Sequence, residues 1–563
     1  MVNNMNYKFN SKKDYIKVIR GTLQGIILIA LLVLVIKALF SSTTYVEYEV
    51  ATEKKDENGF VALSYFGVNR TGSNTVMSTE RLEDHLKTLY ENGYVTITQQ
   101  DIIDYYKEGK DLPDKALFLM FEDGYRGTAI FAQKIMEKYN FKATILTYPE
   151  KFDNKDPKFL LPRDLLELED STYWELGTNG YRLSYINVFD KEDEYIGELS
   201  SLEYTEMMDK LARNYNHYLM DYIRDEKGIP KETYSQMKTR ISTDYKLLEE
   251  RYMEGLGYIP KLHVLMHANT GMFGNNEKVS SINEKNIKEL FDINYNREGY
   301  SFNNEKNSIY DLTRMEPQPY WYPNHLLMRI KDDTNQDVVF EQGEEDRMNY
   351  WQQLKGASEY MGDVIALTSL PKDCGLIKLK DSESYKDISL NTILTGNVIG
   401  SQAIYLRADE EMQNYIKVQI INNILYVYEC INGNKVVLHE EELELSDEYA
   451  DKDIQINTPA TRALQIKLNG NNLELSIDDL VVECSTEVVD SGYIYLESAW
   501  GEYGYSQRNL VDDVYDAVFE KLYVTDYNTE EVLYDNRYKG IEKIVSVTKT
   551  IWLNIVNWFI ETL

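Results

Sequence analysis

Two short segments carry the residue types that chemistry needs. In the first, an apolar run, Ala116-Leu117-Phe118-Leu119-Met120-Phe121, stops at Glu122-Asp123-Gly124. In the second, Trp174-Glu175-Leu176-Gly177-Thr178-Asn179 leads on through Gly180 to Leu183. Adjacent carboxylates where a buried strand runs out can relay a proton or hold a cation. Carboxylates and amides gathered at the C-terminal ends of parallel strands describe the rim of a barrel-type active site. His263 and His267 stand four apart in HVLMH. On a strand they lie about 13 Å apart at ~3.3 Å per residue, too far to share an ion. Gly257, Pro260 and Gly271 argue against the helix that would bring them together. His267 is the histidine able to reach the site mouth from its own strand end.

These residues need a scaffold, and the surrounding pattern supplies one. Val61–Tyr65 reads as a strand, and Ser78-Thr79-Glu80 caps a helix carrying Leu82, Leu86 and Leu89 before Gly93. Val95–Ile97, a helix over 99–107, the Ala116–Phe121 strand, a helix over 129–139 and a strand over 143–146 follow. The second segment reads as a strand breaking at Gly177. Alternation of strand and helix predicts an α/β fold with parallel strands. Residues 191–255 are charged and helical in pattern, an inserted helical hairpin or an enlarged barrel helix. Residues 261–266 resume as a strand.

Residues 331–347 are polar and acidic, a linker between units. Beyond Trp351 the texture becomes short alternating strands. Leu464–Leu468 turns through Asn469-Gly470-Asn471 into Leu473–Ile477, a strong hairpin signal. Such strands over residues 348–537 predict an all-β sandwich.

The chain has 563 residues, with 93 Asp+Glu against 60 Lys+Arg and a formal net charge of -33. So acidic a surface repels nucleic acid, and a DNA or RNA partner is excluded. Residues 22–40, almost purely apolar, match a hydrocarbon core of about 30 Å. Lys8, Lys12, Lys13, Lys17 and Arg20 precede them. Positive charge stays inside, so residues 1–21 form a cytoplasmic tail, 22–40 an uncleaved transmembrane anchor and 41–59 a tether to an extracytoplasmic bulk. Residues 540–563 place Ile544, Ile551, Ile555 and Phe559 on one side of a helix and Lys543, Lys549 and Glu561 on the other. This amphipathic helix suits an interface with membrane or with a partner. Cys374, Cys430 and Cys484 are too few for a disulfide framework and read as thiols, with Cys430–Cys484 the one pair to consider.

The leading strand 62–65, the helix 78–93 with Gly93-Tyr94, Phe121-Glu122-Asp123-Gly124-Tyr125 and Trp174–Asn179 together resemble the polysaccharide deacetylase (NodB-homology) family over residues 60–330. The resemblance implies a deformed β/α barrel that removes acetyl groups from N-acetylated sugars in polymers with a divalent metal. It places Glu122 at the general base and Asp123 at a metal ligand. Asn179 and Leu183 stand where the family's two metal-binding histidines belong, and leucine cannot ligate. His267 is then the one further candidate ligand. Tyr125, Phe273 and Trp321 are expected to line the substrate groove. The second unit resembles laminin-G/concanavalin-like carbohydrate-binding modules, on Tyr405–Ala408, Asn414–Ile416 and Asp516–Leu522. Asp512, Asp513 and Asp516 form a candidate calcium site there.

Three readings stay open. The first is a divergent deacetylase working through Glu122 and Asp123. The second is a barrel with impaired or lost metal-dependent activity that binds an exported or surface polysaccharide, within a synthesis or export complex at the cell membrane. The third is a purely structural surface protein.

Overall fold

The computed structural model describes residues 16, 19–26, 28–29, 43–48, 58–154, 156–212, 216–267, 276–445, 458–502, 508, 512–540, 542 and 548. The expected anchor at 22–40 and amphipathic helix at 540–563 lie largely outside these residues. Among the described residues no helix is long and apolar enough to cross a membrane.

The first unit is a nearly closed sheet. Its path runs Phe302–Asn304, Gly59–Tyr65, Ala116–Phe121, Ala143–Thr147, Trp174–Thr178, Leu262–Val264, Ile293–Glu298 and Leu312–Arg314, with Val95–Thr96 pairing beside Ala116–Phe121. All neighbours are parallel except Phe302–Asn304. The Ser64 amide donates to the Met315 carbonyl at 2.9 Å, and the Met315 amide returns a bond to Ala62 at 3.0 Å. That exchange brings the Leu312–Arg314 end of the path round to Gly59–Tyr65. Every residue of Ala116–Phe121 is buried, so the strand reads as a continuous apolar run rather than an alternation. Helices Thr79–Glu91, Arg126–Tyr139 and Pro323–Thr334 cover the outside. Ser78 caps the first of them, its hydroxyl accepting from the Arg81 amide at 3.0 Å.

Two sequence expectations need correction. Gly177 does not break its strand, which continues to Thr178. A Cβ there would lie 2.5 Å from Leu146 Cδ2 and 2.9 Å from Thr144 Cγ2, so the glycine answers a lack of room between neighbouring strands. The 191–255 stretch is not a helical hairpin. Ser184–Phe189, Tyr195–Ser200 and Asn216–His217 form a small antiparallel sheet, and one long helix, Tyr234–Gly255, follows. Tyr185, Val188, Leu199 and Leu211 bury the inner face of the small sheet, and Leu183 packs against them.

The second unit holds a seven-stranded and an eight-stranded antiparallel sheet, the latter including a short strand, Val532–Asp535, beside Asp516–Asp526. Alternate residues of both sheets, such as Ile404, Val418 and Leu496 from one and Leu390, Leu468 and Phe519 from the other, share one core. The hairpin at Gly470-Asn471 joins Pro459–Asn469 to Asn472–Ile477, with Gly470 at φ +56°. The three cysteines are free thiols.

The units meet along helix Pro323–Thr334. His325 donates from Nε2 to Asp512 at 2.9 Å and from Nδ1 to Asp516 at 3.0 Å, and Arg329 reaches Asp512 at 2.6 Å. Arg508 binds Asp333 at 2.5 Å and Asp513 at 3.1 Å and also pairs with Asp332. The polar linker is held down as well: Gln336 accepts from the Tyr94 hydroxyl, and the Val339 amide donates to Asn92.

Candidate functional site

The site sits where the Ala116–Phe121 strand runs out. The Glu122 amide still pairs with the Tyr65 carbonyl at 2.9 Å. Asp123 and Gly124 then turn in left-handed conformations, φ +66° and +64°. Aspartate tolerates that region better than most side chains, and at Gly124 a Cβ would stand 2.7 Å from Thr147 Cγ2.

The turn sends the two carboxylates to different places. Glu122 is 0% exposed. Its Oε1 accepts from Ser64 Oγ at 2.6 Å and Arg314 Nε at 2.7 Å, and its Oε2 accepts from Asn179 Nδ2 at 2.8 Å. Arg314, equally buried, also meets Glu298 at 3.4 Å and Glu316 at 3.2 Å. Burial works against its charge, but Glu122, Glu298 and Glu316 together hold its pKa above the ordinary arginine value.

Asp123 is partly exposed toward the mouth. Loss of solvent, then the neighbouring Glu122 charge, pushes its pKa up to about 8. Deep burial, and after it the charges of Asp123 and Glu122, raise the Tyr148 phenol well above its usual value. Asn179 spans the pair: its Oδ1 accepts from the Asp123 amide at 3.2 Å while Nδ2 donates to Glu122. The amide at the expected histidine position therefore ties two neighbouring residues together.

The remaining sequence candidates divide. His267, at φ +53°, lies 5.7 Å from Tyr185 and 6.4 Å from His217, ring to ring. Burial lowers its pKa, with Glu298, Arg314 and Glu122 as the charges acting on it. His263 points elsewhere, bonding Asn294 at 2.7 Å and stacking on Phe291. Tyr125 is 40% exposed and stacks on Phe159 at 4.9 Å, an aromatic platform beside Asp123. Phe273 lies outside the described residues. Trp321 is not a groove residue: it is 1% exposed, stacked 4.3 Å from His325, with the Arg329 guanidinium 5.2 Å from its ring. Leu183 belongs to the core of the small sheet. The acidic trio does not gather on a cation site either, because Asp512, Asp513 and Asp516 each meet His325, Arg329 or Arg508.

Beside Asp123, neither expected histidine position offers a divalent metal a donor: the Asn179 amide is engaged and Leu183 packs with the small sheet's core. Glu122 is engaged by Arg314, Ser64 and Asn179, and the Asn179 amide is committed on both of its atoms. Among the described residues no group of three or more His, Cys, Asp and Glu could hold a metal ion. What the arrangement offers is a carboxyl group whose pKa is pushed up to about 8, over a fixed ion pair and beside an exposed aromatic stack.

Sequence reading missed Arg314 and His217. Arg314 lies 192 residues from Glu122 and carries no local signal. His217 sits on a two-residue strand within the misread insertion.

No protein-family model matches the chain. It is 32% identical over 97 residues to the poly-beta-1,6-N-acetyl-D-glucosamine N-deacetylase of Escherichia coli (strain K12), covering 17% of this chain and 14% of that protein. It is 28% identical over 93 residues to a Bacillus subtilis (strain 168) protein named as a polysaccharide deacetylase, covering 16% of this chain and 33% of the other. The matched segments thus span a third or less of these relatives. A solved de-N-acetylase from Aggregatibacter actinomycetemcomitans covers 48% of this chain and 99% of its own, at 16% identity and a TM-score of 0.37.

Proposed function

We propose, taking the first unit as a polysaccharide-deacetylase-type barrel, that the chain binds an exported or surface polysaccharide without metal-dependent deacetylation. The observation that carries this is the engagement of Glu122 by Arg314, with Asn179 closing the network at 2.8 Å. Asn179 spends both amide atoms on this network and Leu183 packs with the small sheet's core, so neither of the two expected histidine positions offers a donor to an ion. Tyr125 on Phe159 gives a sugar ring an exposed face to stack on. The apolar 22–40 segment anchors the protein in the cell membrane with its bulk outside. The 540–563 helix docks a membrane surface or a partner of a polysaccharide synthesis or export complex. The two-sheet unit is a carbohydrate-binding-type sandwich. The polysaccharide is N-acetylated, in keeping with what the Escherichia coli relative is named for.

The test is the full-length chain in detergent with N-acetylglucosamine pentasaccharide, assayed for binding and for released acetate. Binding without acetate, unaffected by chelator, is expected. Acetate release abolished by Asp123→Ala would overturn the reading in favour of a divergent hydrolase. That second reading has one observation behind it: the Asp123 pKa is pushed up to about 8, toward the range a general acid or base needs.

A further inference from the structure

A cavity of about 170 Å³ opens between the two units, away from the barrel mouth. The barrel side contributes Arg81, Tyr320 and Tyr322, and the two-sheet unit contributes Thr395, Asn397 and Ile399. Clefts between units are preferred ligand sites, because each side brings side chains the other cannot.

Its walls are built in advance. Tyr515 donates its hydroxyl to the Asn397 carbonyl at 2.7 Å. A Cβ on Gly396 would fall 2.2 Å from the Tyr515 hydroxyl, and one on Gly400 would fall within its ring. The Gly396–Gly400 turn is therefore pressed onto a fixed aromatic plate. On the other side the Arg81 guanidinium lies 4.1 Å over the Tyr322 ring. Its ion pair with Asp84 spans 3.8 Å, beyond hydrogen-bond reach, so it keeps donors to offer.

The charges of the back wall are already spent. Asp512 and Asp516 are bound by His325 and, for Asp512, by Arg329 as well. A cation entering the cleft finds carboxylates that are neutralised. A purely apolar ligand would strip water from Arg81 without replacing its hydrogen bonds. An uncharged ring with hydroxyls matches instead. Its apolar face meets the tyrosines and Ile399, and its hydroxyls meet Arg81, the Thr395 hydroxyl being already bonded to Glu520 at 3.2 Å.

We propose that this junction cleft binds one pyranose unit of an uncharged polysaccharide, at a second site separate from the barrel mouth. The proposal rests on the reading that the chain's ligand is a polysaccharide. Because both units line the cleft, a bound ring also stabilises their association.

Hydrogen exchange on the full-length chain in detergent, with N-acetylglucosamine pentasaccharide as probe, tests it. Slowed exchange is expected at two places, the barrel mouth around Asp123–Tyr125 and the cleft wall Gly396–Ile399. Calorimetry should give two binding equivalents. Ile399→Trp, which fills the cleft, should lose one equivalent and leave the other, and Tyr125→Ala should weaken only the barrel-mouth equivalent. The exchange arm needs no variant, so poor folding of Ile399→Trp does not spare the proposal. Protection at the barrel mouth alone overturns it while the polysaccharide reading stands. No binding anywhere overturns both. Binding at the cleft only of the de-N-acetylated pentasaccharide, or only of a uronate pentasaccharide, overturns the uncharged-ring assignment.

Discussion

Arg314 and Glu122 form an ion pair in which neither side chain is exposed, with Nε 2.7 Å from Oε1. The pair makes Glu122 part of the barrel's framework. Arg314→Ala leaves the Glu122 charge buried and unpaired. Such a loss costs about 3–5 kcal/mol, so chemical denaturation should show a large fall in stability. Glu122→Gln together with Arg314→Met, which removes both charges, should recover part of that fall, with Glu298 and Glu316 still lacking their guanidinium. A double variant no more stable than Arg314→Ala would show that the pair does not act as a unit.

Metal addition should be silent. A ligand that binds only the folded state at a hundredfold excess over its Kd adds about 2.7 kcal/mol. Zinc, nickel, cobalt and manganese should each leave the melting temperature unchanged, and chelator should do the same. A rise on zinc addition that disappears in Asp123→Ala would place an ion on that carboxylate and overturn the expectation.

The junction should loosen at high pH. Burial alone would push the His325 pKa down, but Asp516 and Asp512 more than reverse it, to about 9. Its folded value lies above the unfolded one of about 6.5. The stability it contributes is therefore complete below about pH 6.5 and is lost as pH rises through about 9. Limited proteolysis of residues 331–347 should accelerate across that window in the wild type. In His325→Gln the dependence should flatten. A wild-type rate that does not change with pH would remove the imidazolium from the junction.

Gly177→Ala tests the barrel directly. The added methyl meets Leu146 and Thr144 from neighbouring strands. Overpacking of this kind costs about 1–3 kcal/mol, visible as a lowered denaturation midpoint. An unchanged midpoint would mean that those strands move apart freely.

Much of this architecture was legible in the sequence, for physical reasons. Ala116–Phe121 is buried on both faces and so appears as unbroken apolar residues, while Leu464–Leu468 is buried on one face and alternates. Glu122, Asp123 and Asn179 were placed together because each ends a strand of one parallel sheet. What escaped depends on long-range contact. Arg314 looks like any strand-end arginine until the sheet closes and brings it to Glu122. Trp321 looks like a groove aromatic until His325 and Arg329 cover it. Tyr195–Ser200 reads as helical because its neighbours are charged and periodic, yet it pairs with Ser184–Phe189.

Helix Pro323–Thr334 belongs to both halves of the molecule at once. Leu326 and Ile330 enter the barrel's core, while Met328 packs with Ala357 and Val514 of the two-sheet unit. Severing the chain near this helix would strand Arg329 on one fragment and Asp512 on the other, each stripped of its counter-charge. Separating the two units therefore gives up these ion pairs and uncovers the Met328–Ala357–Val514 contact.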